Sequence, residues 1–533
     1  MKKTIIQRAL AFGVLVLVFT VNSCKKDNPT PTAPDPTPTL TFATGPYTCE
    51  VESSSACTWI ATSSIPTGGA ITYSVDPVTV ATVNATTGAI TAVGAGTATV
   101  TATQAAATGK NATATATYSL TVTGLSITSF TPTFGGVGYT VTITGTKFDG
   151  TTAANNIVKI NGVTTATPTN VSATSLTVLV PKGATGAGNI TVQVGTQTAT
   201  KGTFTEYATV TTLAGDGTQG LMDAVGLKAQ FWSPAGLTLD NSGNILVADY
   251  GNSSVRSINT DASVTTIATY PDFHEPWGIA VNKTSGKVYV SDRSTNLIKI
   301  INLSDNSVTT YAGSNYSGDG HDTGTDLTDV QFDRPQGLAF DGFDNLYVCD
   351  YWYSLIREVV SAGYVFEIAG NNTSSYVNGN GTSAGFYFPD GIAVEPNGNF
   401  LLVADKGNNC IRKITIQGSI ATTTFVGSST GSGGTTDGTG TDARFSHPAG
   451  LTMDAAGNTY VVDNNNGGNG LIRKITPAGV VTTLAGSMSD NVQYLDGLGP
   501  FARIYSPVGI TVAADGSAIY VSDGTNRIRK IVP

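Results

Sequence analysis

The chain has 533 residues, only 12% of them charged, and a formal net charge of −9. This length exceeds what a single hydrophobic core supports, so several domains are expected. Threonine, glycine, alanine and valine abound, which favours strands and turns over helices. The acidic balance, without a basic patch interleaved with aromatic residues, makes nucleic acid an unexpected partner.

The N-terminus has the pattern of a targeting segment. Three basic residues precede an apolar run at positions 9–21, which is shorter than the ~20 residues of a membrane span. The run closes with Val21-Asn-Ser-Cys24, which resembles a bacterial lipobox. The resemblance implies a signal peptide of residues 1–23, cleaved before Cys24, and acylation of that cysteine. Two or more acyl chains anchor a protein stably in a membrane.

The next stretch is expected to be an extended tether, because residues 24–39 are rich in proline and threonine and cannot bury a core. Lys25-Lys-Asp27 resembles the surface-export signal of Bacteroidetes lipoproteins. Cleavage removes three basic residues, so the mature net charge becomes −12. We therefore expect an outer-membrane lipoprotein that is exposed at the cell surface and meets the membrane only through its lipid anchor.

Residues 40–124 alternate apolar and small polar residues, a pattern typical of half-buried strands. The run Ile90-Thr-Ala-Val-Gly-Ala-Gly-Thr97 places two glycines before a final strand, where a tight turn needs residues without a Cβ. On this run the segment resembles the bacterial Ig-like group 2 domain. Cys49 and Cys57 have seven residues between them, and a local disulfide would suit an oxidising envelope.

Residues 125–207 carry Ile127-Thr-Ser-Phe-Thr-Pro132, Val141-Thr-Ile-Thr-Gly145 and Leu176-Thr-Val-Leu-Val-Pro181. With these stretches the segment resembles an IPT/TIG domain. This resemblance and the preceding one both imply β-sandwiches. The two domains could serve adhesion or act as spacers. We favour spacers, because neither segment clusters aromatic or acidic residues.

Residues 208–533 repeat one pattern six times. Each copy runs Pro-x-Gly, an apolar alternation, a Gly or Asn turn, a second strand ending in Asp, and a third strand such as Ile411-Arg-Lys-Ile414. Repeats of about 40 to 60 residues with three or four short strands indicate propeller blades. The copies resemble NHL repeats, so we predict an all-β chain with two Ig-like β-sandwiches and a six-bladed β-propeller. The copies start at Pro234, Pro276, Pro335, Pro389, Pro448 and Pro507.

The sixth copy stops after its third strand, and a spare fourth strand lies upstream at Val210–Gly215. We predict that this stretch completes the last blade and closes the ring, which removes two exposed strand edges. The aspartate that ends the second strand recurs in every copy. We interpret it as a structural residue that bonds the backbone of the next turn, because a catalytic acid need not appear six times. These residues are Asp249, Asp292, Asp350, Asp405, Asp463 and Asp523.

Function is expected where the copies differ, next to the repeat prolines beside the central channel. The chain offers aromatic rings there, which stack on the apolar faces of sugars, and carboxylates and an arginine, which bond sugar hydroxyls. For each aromatic ring, packing between blades is the equally weighted alternative. The candidate ligand-binding residues are Trp232, His274, Glu275, Trp277, Asp333, Arg334, Tyr387, Asp390 and Tyr505.

Loop lengths refine this hypothesis. About 20 residues precede five of the repeat prolines, whereas Pro276 follows Thr269 by seven residues. Five long loops and one short loop predict a rim with a gap beside Trp232, His274, Glu275 and Trp277. A second aromatic cluster, Tyr351-Trp-Tyr353, is a candidate edge site. The acidic loop around residues 319–329 could hold Ca²⁺, but it lacks a recognised ligand spacing, and a solvated loop is the favoured interpretation.

These features favour a cell-surface lipoprotein that binds an oligo- or polysaccharide. The domain order resembles accessory binding proteins of Bacteroidetes polysaccharide-utilisation systems, which implies transfer of the glycan to an outer-membrane transporter complex. We expect a monomer without a cofactor, a metal site or catalytic residues. The first alternative is a protein-interaction or adhesion module, since propeller faces also bind proteins.

The second alternative is an enzyme. Some similar propellers are lyases that use metal and histidine, but this chain has three histidines, and only two flank a repeat proline. A three-histidine metal site is hard to build from them. A carboxylate-based hydrolase would pair Glu275 with Asp333 or Asp390.

Overall fold

A computed structural model describes residues 37–51, 57–106, 112–184, 186–314, 326–489 and 491–533. The signal peptide, Cys24 and most of the tether lie outside the described residues, as do residues 315–325 of the acidic loop. Strands dominate, and no helix in the described ranges is long and apolar enough to cross a bilayer. The chain divides into two compact units, one ending at Gly124 and the other covering Leu125–Pro533.

The first unit is a small β-sandwich. Its larger sheet has the strand order Thr48–Glu50, Ala114–Thr123, Gly96–Gln104 and Ile71–Asp76. A smaller sheet has the order Cys57–Thr58, Ala89–Ala92 and Ala81–Val83, and Leu40–Thr41 pairs with Thr62–Ser63. Alternate residues such as Val100 and Leu120 are fully buried between the sheets. Cys49 and Cys57 form a disulfide that links the two sheets, with Cα atoms 5.9 Å apart.

The second unit begins with another sandwich. One sheet has the order Ser126–Thr131, Thr140–Thr146 and Ser175–Leu179. The facing sheet has the order Phe134–Gly135, Gln197–Glu206, Gly186–Val194, Asn156–Ile160 and Val163–Thr164. Val141, Ile143, Ile160 and Phe204 are fully buried in its core, as the apolar alternation in these strands requires. A single 3-10 turn, Ala153–Asn155, precedes the strand at residue 156.

The rest of the second unit is a six-bladed β-propeller, as the repeats predict. Each blade is an antiparallel sheet whose first strand is innermost. Blade 1 consists of Pro234–Leu239, Ile245–Asp249, Ser254–Ile258 and Val264–Ala268. Blade 2 consists of Pro276–Val281, Val288–Asp292, Leu297–Asn302 and Ser307–Ala312. Blade 3 consists of Pro335–Phe340, Leu346–Asp350, Leu355–Val360 and Tyr364–Ala369. Blades 4 and 5 consist of Pro389–Val394, Phe400–Asp405, Cys410–Thr415, Ala421–Gly427; and Pro448–Met453, Thr459–Asp463, Leu471–Ile475, Val480–Gly486.

The sixth blade confirms the predicted closure. Its strands are Ile510–Val512, Ile519–Asp523 and Arg527–Val532, and the upstream strand Thr209–Ala214 pairs antiparallel with Arg527–Val532 as the fourth strand. Val210 is fully buried in the core of this blade. The ring is therefore closed by hydrogen bonds between strands from its two ends, so that blade 6 keeps no unpaired edge there.

Short elements complete the propeller. Three two-residue strands, Gly379–Asn380, Gly438–Thr439 and Gly497–Leu498, add a fifth strand to blades 4, 5 and 6. Tyr494–Leu495 pairs with Arg503–Ile504. The 3-10 turns are Gly226–Lys228, Tyr250–Asn252, Gly381–Ser383, Lys406–Asn408, Gly440–Asp442, Asn465–Gly467 and Gly499–Phe501.

The glycine of each Pro-x-Gly is explained by the packing of the inner strands, each of which contacts the inner strands of both neighbouring blades. A Cβ on Gly236 would collide with the carbonyl oxygen of Trp277, and one on Gly450 would collide with that of Val508. The other four repeat glycines meet the next inner strand in the same way. Close backbone approach therefore requires a residue without a side chain at this position.

The six repeat aspartates are fully buried, and their structural interpretation is confirmed. In blades 1 to 5 the carboxylate accepts a hydrogen bond from a backbone N–H just before the repeat proline, as Asp249 does from Trp232 at 2.9 Å. In blade 6, Asp523 accepts from the backbone of Thr525 instead. The bond in blade 6 is the one to the next turn that the sequence predicted, whereas the bonds in blades 1 to 5 reach back and fix the entrance of the chain into the inner strand.

Each repeat aspartate also holds a cation of the third strand, which the sequence reasoning missed. The ion pairs, 2.8 to 3.2 Å long, are Arg256–Asp249, Lys299–Asp292, Arg357–Asp350, Arg412–Asp405, Arg473–Asp463 and Arg529–Asp523. Burial raises the pKa of Asp405 to about 6, and the Arg412 guanidinium opposes that rise. Because the pairs are buried, removing either partner would leave an uncompensated charge in the core.

Candidate functional site

The nine candidate residues lie at one end of the ring, which we call the entry face because the inner strands begin there. In blades 1 to 5 the inner strand starts at the repeat proline, which pairs with the aspartate ending the second strand, as Pro234 pairs with Asp249. The entry face therefore combines residues next to the proline with those directly after the aspartate. The residues next to the proline were predicted from the sequence, whereas those directly after the aspartate were not, apart from the cluster Tyr351-Trp-Tyr353.

A polar hollow of about 590 Å³ opens in the entry face at blades 1, 2 and 3. Of the candidate residues, Glu275, Asp333 and Arg334 line it. Four further residues complete the lining: Tyr250, Arg293, Ser294 and Asn296. Tyr250 and Arg293 directly follow the repeat aspartates of blades 1 and 2, a position that varies among the six copies and could have indicated them.

The wall of the hollow is stiffened by aromatic contacts. Trp277 is half-buried, and its ring meets that of Tyr250 edge-on with centroids 5.4 Å apart. The guanidinium of Arg293 lies 4.9 Å from the centre of the Trp277 ring, within the range of a cation–π contact. Burial raises the pKa of Tyr250, and the neighbouring Glu275 carboxylate adds to the rise. Trp277 thus supports the hollow from behind, which is one of the two roles considered for it.

An aromatic platform adjoins the hollow. It consists of Tyr351, Trp352, Tyr387 and Phe388, with Phe388 in the middle: its ring centroid lies 4.8 Å from that of Tyr351, 5.5 Å from that of Trp352 and 4.5 Å from that of Tyr387. Trp352 keeps 50% of its surface exposed and Tyr387 keeps 38%. The Arg334 guanidinium lies 4.6 Å from the centre of the Trp352 ring, so this arginine joins the hollow to the aromatic platform.

Arg334 owes its position to an uncommon backbone conformation. Its φ is +54°, and its N–H donates to the side-chain oxygen of Asn296 in the preceding blade at 2.9 Å. The residue before a proline is normally extended. Yet Ser233, Phe388 and His447 share this left-handed conformation at the equivalent position, as does Ser506. Since the conformation recurs, it belongs to the propeller architecture and sets the direction in which these side chains leave the strand.

The remaining candidates have other surroundings. Asp390 is 3% exposed and pairs with the Lys406 ammonium at 2.7 Å, so its carboxylate is already committed inside the ring. Trp232, His274 and Tyr505 do not line the hollow. The His274 ring packs against Tyr270, with centroids 5.3 Å apart. The structure therefore brings five candidates together with the additional residues of the hollow and the aromatic platform: Glu275, Asp333, Arg334, Trp277 and Tyr387. Trp232, His274 and Tyr505 remain at the periphery.

The described parts of three long loops are bound to the outer strands of their blades. The loops entering blades 1, 5 and 6 each carry an aspartate that bridges the buried arginine of the third strand and a threonine of the outer strand. Asp223, for example, accepts from Arg256 at 2.6 Å and from the Thr266 backbone at 2.9 Å. The equivalents are Asp437 and Asp496. These aspartates attach the loops to the outer edges of blades 1, 5 and 6, and the gapped rim stays a prediction.

The short connection before blade 2 differs from these three loops. It brings no bridging aspartate to blade 2, where Lys299 stands in place of the arginine and the sheet consists of four strands. Within the described ranges, no group of three His, Cys, Asp or Glu side chains is arranged to hold a metal ion. The entry face thus offers aromatic surfaces, two arginines and two carboxylates as its binding groups.

The opposite end of the ring also has a cavity, of about 750 Å³. Its wall includes a ring of aliphatic side chains three residues after the repeat proline, all 4 to 7% exposed: Leu237, Ile279, Leu338, Ile392, Leu451 and Ile510. Because the same type of residue recurs in every blade, this ring is architectural and is not a candidate ligand site.

The fold and the repeats define an NHL-repeat β-propeller joined to an IPT/TIG domain. The family model of the IPT/TIG domain matches residues 125–207, the segment expected from the sequence. The NHL repeat model matches residues 231–256, 273–301 and 386–414. These matches lie in blades 1, 2 and 4, and the remaining blades share the same strand pattern.

Curated relatives match about half of this chain at low identity. The chain is 25% identical over 269 residues to protein SUPPRESSOR OF QUENCHING 1, chloroplastic, of Arabidopsis thaliana, covering 49% of this chain and 25% of that protein. It is 25% identical over 342 residues to NHL repeat-containing protein 2 of Bos taurus, covering 56% of this chain and 46% of that protein. The chain therefore spans between a quarter and about half of these relatives.

One of the similar solved structures reaches a TM-score that shows a shared fold. An auxiliary nutrient binding protein from Bacteroides ovatus superposes with a TM-score of 0.50 at 20% identity, over 77% of this chain and 97% of that chain. An auxiliary nutrient binding protein from Bacteroides thetaiotaomicron gives 0.49 at 19% identity, over 76% and 97%. A virginiamycin B lyase from Staphylococcus aureus gives 0.37 at 13% identity, over 65% and 88%.

Proposed function

We propose that the protein captures oligosaccharides at the entry face of its propeller. The observation that carries this proposal is the direct junction between a polar hollow and an exposed aromatic platform through Arg334. Sugars present apolar C–H faces that stack on rings such as Trp352, and hydroxyls that bond carboxylates and amides such as those of Glu275, Asp333 and Asn296. Concave, largely preformed sites of a few hundred Å³ suit ligands of this size.

The remainder of the chain supports a capture role in this proposal. Acylation of Cys24 would anchor the protein in the outer membrane, and the tether and the two sandwich domains would act as spacers that present the propeller at the cell surface. An outer-membrane transporter complex would then receive the captured glycan. A nutrient-binding role is also named for the Bacteroides ovatus protein, although the likeness to that structure shows the fold alone.

Calorimetric titration tests the proposal. The chain from residue 25 onward would be titrated with a panel of plant and microbial oligosaccharides, and Trp352→Ala would be compared with Phe343→Ala. Phe343 is a matched control, because it is a 74%-exposed aromatic residue of the same blade in the turn after the inner strand, away from the entry face. We expect glycan binding that Trp352→Ala weakens at least tenfold and Phe343→Ala leaves unchanged.

Two other outcomes would contradict the proposal. If no glycan in the panel binds, a protein-interaction or adhesion role becomes the better explanation of the exposed rings. If sugar products accumulate during titration, the protein is a hydrolase or lyase. Glu275 and Asp333 would be the first carboxylates to replace, because both line the hollow and burial raises the pKa of Asp333.

Surface exposure has its own test. Intact cells carrying the full-length protein would be treated with a protease that cannot cross the outer membrane. Loss of the protein from intact cells is expected, and its survival there but not in lysed cells would place it on the periplasmic side.

A further inference from the structure

Two arginines of the entry face differ from the other arginines described in the propeller. The repeat arginines are fixed by buried carboxylates, and Arg444, Arg503 and Arg527 donate to backbone carbonyl oxygens. Within the described ranges, Arg293 and Arg334 make no side-chain hydrogen bond or ion pair. Their guanidinium groups only stack on Trp277 and Trp352. Both side chains line the same hollow.

This arrangement leaves strong donors without acceptors. A guanidinium that stacks on an aromatic ring keeps its in-plane N–H groups available, and their fork matches the two oxygens of a carboxylate. The Nε atom of Arg293 is shielded from solvent and has no hydrogen-bond partner among the described residues. The five buried repeat arginines leave the same atom unpaired, so what distinguishes Arg293 and Arg334 is that their guanidinium groups line an open hollow.

Other cations of the entry face are already occupied or neutral. Lys406 is bound to Asp390 at 2.7 Å. Burial lowers the pKa of His447, and the nearby Lys406 ammonium lowers it further, so this imidazole is neutral at pH 7. The free positive charge of the hollow therefore resides on Arg293 and Arg334.

Two carboxylates share the hollow with the arginines and limit the kind of ligand. Glu275 interacts with Tyr250, and Asp333 lies beside Arg334. A ligand with several negative charges would be repelled by these two carboxylates. A ligand with a single carboxylate and several hydroxyl groups would suit the arginines and the carboxylates alike, because carboxylate side chains accept hydrogen bonds from hydroxyl groups.

We propose that the hollow recognises a uronic acid residue of an oligosaccharide, with Arg293 and Arg334 binding its carboxylate and Glu275 and Asp333 accepting from its hydroxyls. This inference rests on the proposed glycan capture and specifies the class of sugar. The aromatic platform would then hold the neighbouring sugar of the chain, since Arg334 touches both surfaces.

The test uses matched ligands. The chain from residue 25 onward would be titrated with defined hexuronate oligosaccharides, such as oligogalacturonates and oligoglucuronates, and with the same oligosaccharides after reduction of each carboxyl group to a primary alcohol. We expect affinity for the acid form of at least one of them to exceed that for its reduced form tenfold or more. Affinity for the acid form should fall as the salt concentration rises.

Variants connect the preference to the residues. Arg293→Gln and Arg334→Gln should each weaken binding of the acid form at least tenfold and reduce its advantage over the reduced form to less than twofold. Lys228→Gln is the control, because it removes one exposed positive charge from the loop before blade 1. Arg293→Lys keeps the charge but loses the fork, so it should fall between wild type and Arg293→Gln. Circular dichroism of each variant would establish that it is folded.

The outcomes separate this inference from the proposed function. Equal binding of acid and reduced forms, or an acid preference that both arginine variants retain, overturns the uronate inference and leaves glycan capture intact. Binding of sulfated glycans with no binding of any uronate also overturns it, because the proposal commits to a carboxylate. Failure of every glycan overturns both the inference and the proposed function.

Discussion

Replacing Val210 by aspartate should open the propeller at its sixth blade. Val210 lies in the strand Thr209–Ala214, where its side chain is fully buried and its Cα partners are Ile531 and Gly497. Losing the buried valine removes about 1.5 to 3 kcal/mol of hydrophobic stabilisation. A carboxyl group in its place must stay protonated at neutral pH, and a rise in its pKa of about three units costs roughly 4 kcal/mol.

The two effects together predict that Val210→Asp lowers the free energy of unfolding by about 6 kcal/mol, a large part of the 5 to 15 kcal/mol typical of folded domains. Urea denaturation followed by tryptophan fluorescence measures the change, and size-exclusion chromatography detects association through the exposed strand edge. The control is Thr211→Asp, one residue further along the same strand, where the side chain is exposed. It should change stability by less than about 0.5 kcal/mol.

Equal stability of the two variants would refute the reasoning, because it would mean that the closing strand contributes little to blade 6. A monomeric Val210→Asp protein with an unchanged urea midpoint would have the same meaning. A deletion of residues 208–216 should reproduce the phenotype of Val210→Asp, including aggregation.

Three further predictions concern residues that recur in the blades. Arg412→Ala should destabilise the protein by about 3 to 5 kcal/mol in urea denaturation, because it leaves the buried Asp405 carboxylate without its partner. The control Lys413→Ala should cost far less, and similar losses for the two variants would contradict the prediction. Burial raises the pKa of Asp405 to about 6, so this carboxyl group binds more protons in the folded state than in the unfolded state. The stability advantage of wild type over Asp405→Asn should therefore shrink as pH rises from about 4 to 6, and a widening difference would refute the assignment. Gly450→Ala should cost about 1 to 3 kcal/mol because its Cβ would collide with the next inner strand. Gly342→Ala should be nearly neutral in thermal denaturation, because no atom lies within 4 Å of the added Cβ, and equal midpoints for the two variants would exclude the collision.

The sequence predicted the parts of the fold that depend on repetition. The six prolines, the strand-ending aspartates and the spare strand at Val210–Gly215 each recur at a fixed place, so one physical argument applies to all copies. The buried arginines recur as well, at Arg412 and its equivalents, and their pairing with the aspartates could have been inferred from that recurrence. A charged residue in an amphipathic strand is ordinarily taken as exposed, and that expectation hid them.

The candidate site was predicted only in part, for reasons of local geometry. Tyr250 and Arg293 follow buried strands, and only the 3-10 or tight turn after each aspartate brings them to the entry face. Arg334 reaches the aromatic platform because its backbone is left-handed, which a residue before proline seldom is. Loop length alone could not show whether the long connections turn toward the channel or toward the outer edge. In blades 1, 5 and 6 the bridging aspartates attach the loops to the outer edge, as Asp223 does in blade 1.

The closing strand also determines how the protein would bear mechanical load. Thr209–Ala214 follows directly on the IPT/TIG domain, whose Phe134 and Tyr207 rings pack on Phe501 of the propeller. In a protein tethered at its N-terminus, tension from a long polymer held at the entry face would enter the propeller through this strand. The pull would run along the strand, across hydrogen bonds that lie perpendicular to it, so these bonds would resist together in shear instead of opening one at a time. The arrangement that completes the ring would thus also make its junction with the IPT/TIG domain mechanically strong.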